Sequence, residues 1–310
     1  MSLPQSPAPQ PSKRARELVR GAYDLHVHSG PDVLRRRIHD LDLARRCKEV
    51  GLRGYVIKSH YTATAGRAFL ASAAVDGVRV LGSVVLNALL GGMNPMTIEI
   101  AAREGARLVW MPTVDSVNER RLRGGNPQKP PFWAKLQDEL RDLGVESPPV
   151  HVVDETGSVL PETRQVLRRI AHHNLVLATG HLSRDEIFAV VDASIEEGVK
   201  HIIITHPDFP TQNLSVDDQK ALAERGAYLE RCFTTAYTGK VSWERMFANI
   251  RATGVEANVL STDLGQPTNP PVEDGLALMA DKLLEAGFSE EEVRVMAVQN
   301  TVRLAEGTER

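Results

Sequence analysis

The stretch LVLATGH (175–181), SRDEIFAVVDASIEEGV (183–199) and HIIITH (201–206) reads as a strand, a helix and a second strand. Its outer pieces are short apolar runs, whereas the middle piece carries its apolar residues at helical spacing. A strand–helix–strand unit of this kind pairs its strands in parallel. The same alternation extends in both directions. Upstream lie YDLHVH (23–28), GYVIKSH (54–60), VRVLGSVVL (78–86) and RLVWMPT (107–113), and downstream AYLERCF (227–233) and ANVLSTD (257–263). Helical patterns fall between most of them, at 40–51, 96–106, 161–174, 216–227 and 243–254, several closed by Gly or Asn.

Eight strands, most of them followed by a helix, suit a closed α/β (β/α)8 TIM barrel better than an open doubly wound sheet. The long irregular stretch 114–149 is expected to be an insertion after strand 4, a lid or interface element, with a small hairpin around Asp154 and Glu155 following it. Residues 1–12 are rich in Pro, Ser and Gln. A disordered tail is therefore expected over 1–20, with 21–310 forming one barrel domain.

Composition narrows the functional classes. With 42% hydrophobic and 25% charged residues the chain is ordinary globular protein. A formal net charge of -3 argues against a partner bound by phosphate neutralisation, so no nucleic acid is expected. No apolar run reaches the ~18 residues of a membrane helix, and no secretory signal is seen at the start. Two cysteines, Cys47 and Cys232, make neither a disulfide framework nor a Cys-rich zinc motif. The expected setting is the cytoplasm. Phosphate-loop, dinucleotide and nucleophile-elbow motifs are absent.

In such a barrel the strand C-termini converge on one mouth, where active sites sit. Five of the ten histidines fall at those ends: His26 and His28 on the first strand, His60 on the second, His181 on the fifth and His206 on the sixth. Asp263 ends the eighth. His26 and His28 are two apart, so both imidazoles face one side and can share an ion. Imidazole and carboxylate suit Zn²⁺ first, and also Mn²⁺, Fe²⁺ or Ni²⁺. The expected cofactor is therefore a divalent metal, one ion or two.

The order of these ligands, carried by DLHVHSGPD, VIKSHY, ATGHLS, ITHP and LSTDLGQ, resembles the amidohydrolase superfamily of metal-dependent barrels. More closely, the chain from Ala22 to Leu304 is similar to an uncharacterised amidohydrolase-like branch of it, and QNTVRLAEG resembles the usual ending of such chains. In two-metal members of that superfamily a carboxylated lysine on strand 4 bridges the ions. Strand 4 has no lysine here, but Lys58 ends strand 2 with His60 beside it. The resemblance thus allows a carboxylated Lys58 bridge with His60 as a further ligand. The alternative is a cationic Lys58 that contacts substrate or pairs with a carboxylate.

The residue types suggest a mechanism. A bound ion acidifies water, Asp263 takes and returns the proton, and His206 serves as a ligand or polarises the substrate. The resemblance implies hydrolysis of an amide, ester, lactone or imine-like bond in a small polar substrate. A metal-dependent decarboxylase or other lyase on the same barrel, and a metal-binding barrel without activity, are the rival readings. Glu230 on strand 7 is expected to face the mouth or to form a structural ion pair, Tyr61 and Trp133 to pack in the core unless they line the pocket or a lid, and Arg35 to hold an anionic group of substrate or to belong to a solvated run with Arg36 and Arg37. Asp32 is expected either to orient a ligand histidine or to cap its loop. A homo-oligomer is expected by analogy with such barrels.

Overall fold

The computed structural model describes residues 9–123 and 133–307. Eight strands form one parallel sheet in sequence order: β1 (Tyr23–Val27), β2 (Gly54–Ile57), β3 (Arg79–Val85), β4 (Ala106–Trp110), β5 (Val176–Ala178), β6 (His201–Ile204), β7 (Tyr228–Cys232) and β8 (Asn258–Ser261). The sheet closes where β8 meets β1. There His28 N–H donates to Leu264 O and Asp263 N–H to His26 O, each at 2.8 Å. This is the (β/α)8 barrel that the alternation predicts.

Alternating strand residues divide between two layers. Val56, Leu81, Val85, Leu108, Trp110 and Val259 fill the barrel. Their neighbours, such as Ile57, Val84, Val109 and Leu260, pack outward against the helices. Leu304 and Ala305, on the helix Asn300–Glu306, close the end away from the mouth. β1 departs from simple alternation. Tyr23 and Leu25 pack inside the barrel, yet Val27 packs in the outer layer. Its pairing with β2 shifts register between Asp24 and Val27. Such a bulge re-aims side chains, and here it lets His26 and His28 face the interior.

Two expectations need correction. The tail assigned to 1–20 forms a helix over Lys13–Leu18, capped by Ser12 and burying Ala15 and Leu18. Ser12 N–H and Oγ–H donate to Asp281 at 2.7 and 2.6 Å, and Arg16 pairs with Asp274, so the segment is tied down at both polar and apolar contacts. Residues 1–8 lie outside the described residues. The insertion 114–149 carries two helices, Val117–Arg123 and Ala134–Asp142, the second on its amphipathic LQDELRDLG, and the rest of its described residues are irregular as expected. Its residues 124–132 lie outside the description. The hairpin after it is reduced to one antiparallel bridge, Val153 with Val159, around a turn in which Asp154 Oδ1 accepts from Thr156 N–H and Ser158 N–H. Among the described residues no helix is long and apolar enough to cross a membrane.

Candidate metal centre

The strand ends gather around a cavity of about 240 Å³ at the barrel mouth, lined in part by His28, Lys58, His60, His181, His206 and Asp263. At its floor His26 Nε2 and His28 Nε2 lie 3.3 and 3.2 Å from the same Asp263 Oδ1. The position of Asp263 is fixed by its backbone. Its φ of +52°, rare for a residue with a side chain, turns the chain at the end of β8. Thr234 Oγ–H and Gln266 Nε2–H both donate to its carbonyl. His206 also has a positive φ, +27°. Backbone strain of this kind gathers at functional sites, and here it falls on two of the residues that the strand-end pattern selects.

The tautomer of His26 follows from its partners. Its Nδ1 faces both oxygens of Glu230, at 3.1 and 3.2 Å, so the neutral ring has its proton on Nδ1 and its lone pair on Nε2. That lone pair confronts a carboxylate oxygen of Asp263. Two acceptors in contact require a cation or a donor between them. Ligand atoms held ~2.0–2.1 Å from a tetrahedral ion sit about 3.3 Å apart, the separation that both histidines keep from Asp263. His26, His28 and Asp263 therefore fit a divalent ion. A second cluster, His26 with Glu230 and Cys232, is fully buried. Its contacts are those of a histidine held from behind, with Cys232 Sγ 3.8 Å from His26 Nδ1.

Around this floor the remaining histidines are kept neutral. Burial, reinforced by the charges of Arg36 and Lys58, holds His28 well below the usual imidazole range. Burial first, then neighbouring positive charge, does the same for His60 and His206. His181 is lowered by burial against the opposing pull of Glu119. Neutral imidazole is the form that binds metal. His60 Nδ1 is 2.8 Å from Thr113 Oγ, itself held by Asn87, which also donates to His60 O. His181 Nδ1 lies 3.2 Å from Glu119 Oε2, and its carbonyl accepts from Ser116 and Asn118. The rings of His181 and His206 are 5.2 Å apart. Among the described residues His60, His181 and His206 are not part of the close ligand sets, and they form the wall instead.

Lys58 is wholly buried, with Nζ 2.9 Å from His26 Nε2 and 5.3 Å from the centre of the Trp110 ring. Burial lowers its pKa, against the attraction of Asp263 and Glu230.

The structure redistributes the expected substrate contacts. Glu230 is buried behind His26 rather than lining the cavity; its second oxygen also accepts from His206 N–H at 3.3 Å. Burial alone would raise its pKa, but the hydrogen bond from His26 and the nearby Lys58 outweigh this and hold it low. Tyr61 packs with Val114, Trp133 and Ala134, its hydroxyl accepting from Gln137, and Trp133 reaches the cavity in its place. Arg35 is exposed and does not line the cavity, whereas Arg36 does. Asp32 holds Arg36 through two contacts of 2.9 and 2.7 Å, so it braces an arginine rather than a histidine.

Three contributors were not singled out from sequence. Asp24 accepts from Thr262 N–H, Thr262 Oγ–H and His26 N–H, and burial raises its pKa to about 7. It sits inside the quoted DLHVH motif, but only the barrel seam gives it partners. Glu119 comes from the insertion, where no spacing marked it. Lys240 lies beyond β7 on the cavity rim.

Comparison with known proteins agrees with this architecture. A family model described as a family of unknown function, DUF6282, matches residues 21–230. No curated protein matches the sequence. Among solved structures, an amidohydrolase from Pseudomonas aeruginosa is similar with a TM-score of 0.60 at 13% identity, over 94% of this chain and 98% of that one. The probable dipeptidase PvdM of the same organism gives 0.57 at 11% identity, over 94% and 96%. A putative 2-pyrone-4,6-dicarboxylic acid hydrolase from Pseudomonas putida gives 0.56 at 16%, over 94% and 99%. At these identities the likeness establishes an amidohydrolase-like fold.

Proposed function

The chain belongs to the family of unknown function DUF6282, and for it we propose a metal-dependent hydrolase of the amidohydrolase type, acting on an amide, ester, lactone or imine-like bond of a small polar substrate. The observation that carries this reading is the pair of 3.3 and 3.2 Å separations from His26 Nε2 and His28 Nε2 to Asp263 Oδ1, at the floor of the mouth cavity. The hydrolase names of the similar structures support the reaction class. Two free, buried cysteines suit a cytoplasmic setting.

A divalent ion, Zn²⁺ foremost, supplies Lewis acidity when bound and lowers the pKa of water toward ~7. The chain's own residues do the rest. Glu230 fixes His26 in the ligating tautomer. Asp263, part-exposed to the cavity, takes a proton from water and returns it to the leaving group. His206, neutral and on the wall beside it, is placed to donate toward a carbonyl oxygen. Trp133 and Phe209 supply apolar wall to the same cavity.

Lys58 enters this centre as a carboxylate. An ammonium 2.9 Å from His26 Nε2 competes with an ion for the same lone pair. The ammonium first gives up one proton, and addition of CO2 to the neutral amine releases a second, so a carbamate anion replaces the positive charge; with it, His60, His181 and His206 would supply the ligands for a second ion.

The test is metal analysis by mass spectrometry of the wild-type protein, His26→Ala and Lys58→Ala, followed by turnover assays on small amides, esters and lactones. At least one ion per chain, lost in His26→Ala, with water-consuming turnover abolished in Asp263→Asn, is expected. Two ions falling to one in Lys58→Ala supports the bridge, and an unchanged ion count refutes it. No metal after reconstitution, or CO2 release in place of water uptake, overturns the hydrolase.

A further inference from the structure

One wall of the cavity is unlike the rest. The proposed metal-binding triad lies at the floor, and the segments after β7 and β8 rise from it, from Thr234 and Gln266 at the backbone of Asp263 to the exposed Thr238 and Thr268 and to Lys240 and Asn269 on the rim. Each acid lining the cavity is already engaged. Asp263 faces His26 and His28, and Glu119 faces His181. Of the basic side chains, Arg36 is neutralised by Asp32 and Lys58 is committed to the centre beside His26. Lys240 is different. Its side chain is half-buried on the rim, and among the described residues no carboxylate pairs with it.

The rim also holds Lys240 in place. Its N–H donates to Thr235 O, tying it to the end of the helix Phe233–Tyr237. The facing loop is pinned by Arg37, which donates to Pro267 O and Asn269 O. Thr234 and Thr238 spend their hydroxyl protons on backbone carbonyls, so the ammonium is the strong donor left on this side. One unopposed charge, without a glycine-rich cradle, matches a single negative charge and not a phosphate dianion.

We propose that Lys240 is a specificity residue that binds a carboxylate of the substrate, distal to the bond broken over the floor. The inference rests on the reading of this cavity as the substrate site. It names the substrate class as small molecules bearing a carboxylate remote from the hydrolysed bond.

The test uses isothermal titration of the full-length protein, as purified and after chelator treatment, with the dicarboxylates from succinate to pimelate and the uncharged diamides of equal length. At least one dicarboxylate is expected to bind about tenfold tighter than its diamide, as one hydrogen bond to a charged group allows. Lys240→Met removes that preference and Lys240→Arg keeps most of it. A preference that survives Lys240→Met, or a diacid no better than its diamide, overturns the proposal. Inorganic phosphate binding tighter than every dicarboxylate overturns the carboxylate assignment. Lys240-dependent binding in a protein that takes up no metal sustains this seat while the hydrolase reading falls. A metal-loaded protein indifferent to Lys240→Met does the reverse.

Discussion

Replacing Glu230 by Gln isolates the support behind the proposed metal-binding triad. The carboxylate meets His26 Nδ1 at 3.1 and 3.2 Å, is wholly buried, and touches no cavity surface, so the change leaves the pocket's shape and its other ligands intact. Two consequences follow. The amide is neutral, so the electron density that the carboxylate pushes toward Nε2 is lost. Its NH2 group can also turn toward Nδ1 and favour the other tautomer, placing a proton on Nε2 where the ion should bind. Loss of such a partner costs 10–100-fold in metal affinity as an order of magnitude, or about 1.4–2.8 kcal/mol. Glu230→Ala should fall at or beyond the upper end, because the buried Nδ1–H is left with no acceptor. The assay is competition for Zn²⁺ against a chromophoric chelator, with circular dichroism to establish that the fold persists. A dissociation constant within about twofold of wild type in both variants, with the fold intact, would refute the argument that Glu230 sets the ligating form of His26.

Three further outcomes are expected. Asp208→Ala should cost about 3–5 kcal/mol in denaturant unfolding, because buried Arg231 loses a 2.6 Å partner while Asn249 and Gln219 lose their acceptor; a cost under ~1 kcal/mol would count against this network as a structural anchor. Gly180→Ala should lower Tm by more than about 4 °C, since φ is +58° and a Cβ there would lie 2.3 Å from Met111 O; an unchanged Tm in thermal melts would contradict this close approach of the β5 end to Met111. The third concerns pH. Hydrogen bonds from His173 and Arg103 hold Glu99 down to about 2, so its contribution is present above the ordinary carboxyl range and is lost as pH falls toward 2. The pair is half-buried at the surface, and Glu99→Gln should flatten the acid limb of a Tm–pH curve by no more than about 2 °C, with a larger change arguing that the pair is more deeply buried in solution.

The sequence carries the strands most clearly, because a (β/α)8 barrel repeats one local signal and each apolar run is short and bounded. The strand-end histidines follow from the same signal, since a barrel maps strand C-termini onto one mouth. What it hides is side-chain direction behind that mouth. Glu230 adjoins Arg231 on β7, and alternation alone separates their faces without telling a pocket contact from a brace behind His26. Arg35 and Arg36 are equivalent as letters, and only the turn closed by Asp32 decides which one enters the cavity. The irregularity in β1 is equally silent, because a register shift belongs to the pairing with β2 and not to residues 23–28 themselves. The helix at Lys13–Leu18 was obscured by its proline-rich surroundings, and its stability comes from Asp281 and Asp274, far along the chain.

The seam between β1 and β8 has a consequence for how this protein is made. Across it, Asp24 and Thr262 are partners 238 positions apart in the chain, and the carbonyl of His26 receives the amide of Asp263. During synthesis the first two histidines emerge long before the aspartate that completes their set, so the site cannot assemble on a growing chain. Closing so large a loop is entropically slow to begin and strongly cooperative once made. An ion that binds only the closed form then acts as a clasp on the finished barrel, stabilising it by mass action. Metal supply would govern the lifetime of the folded protein as well as its chemistry.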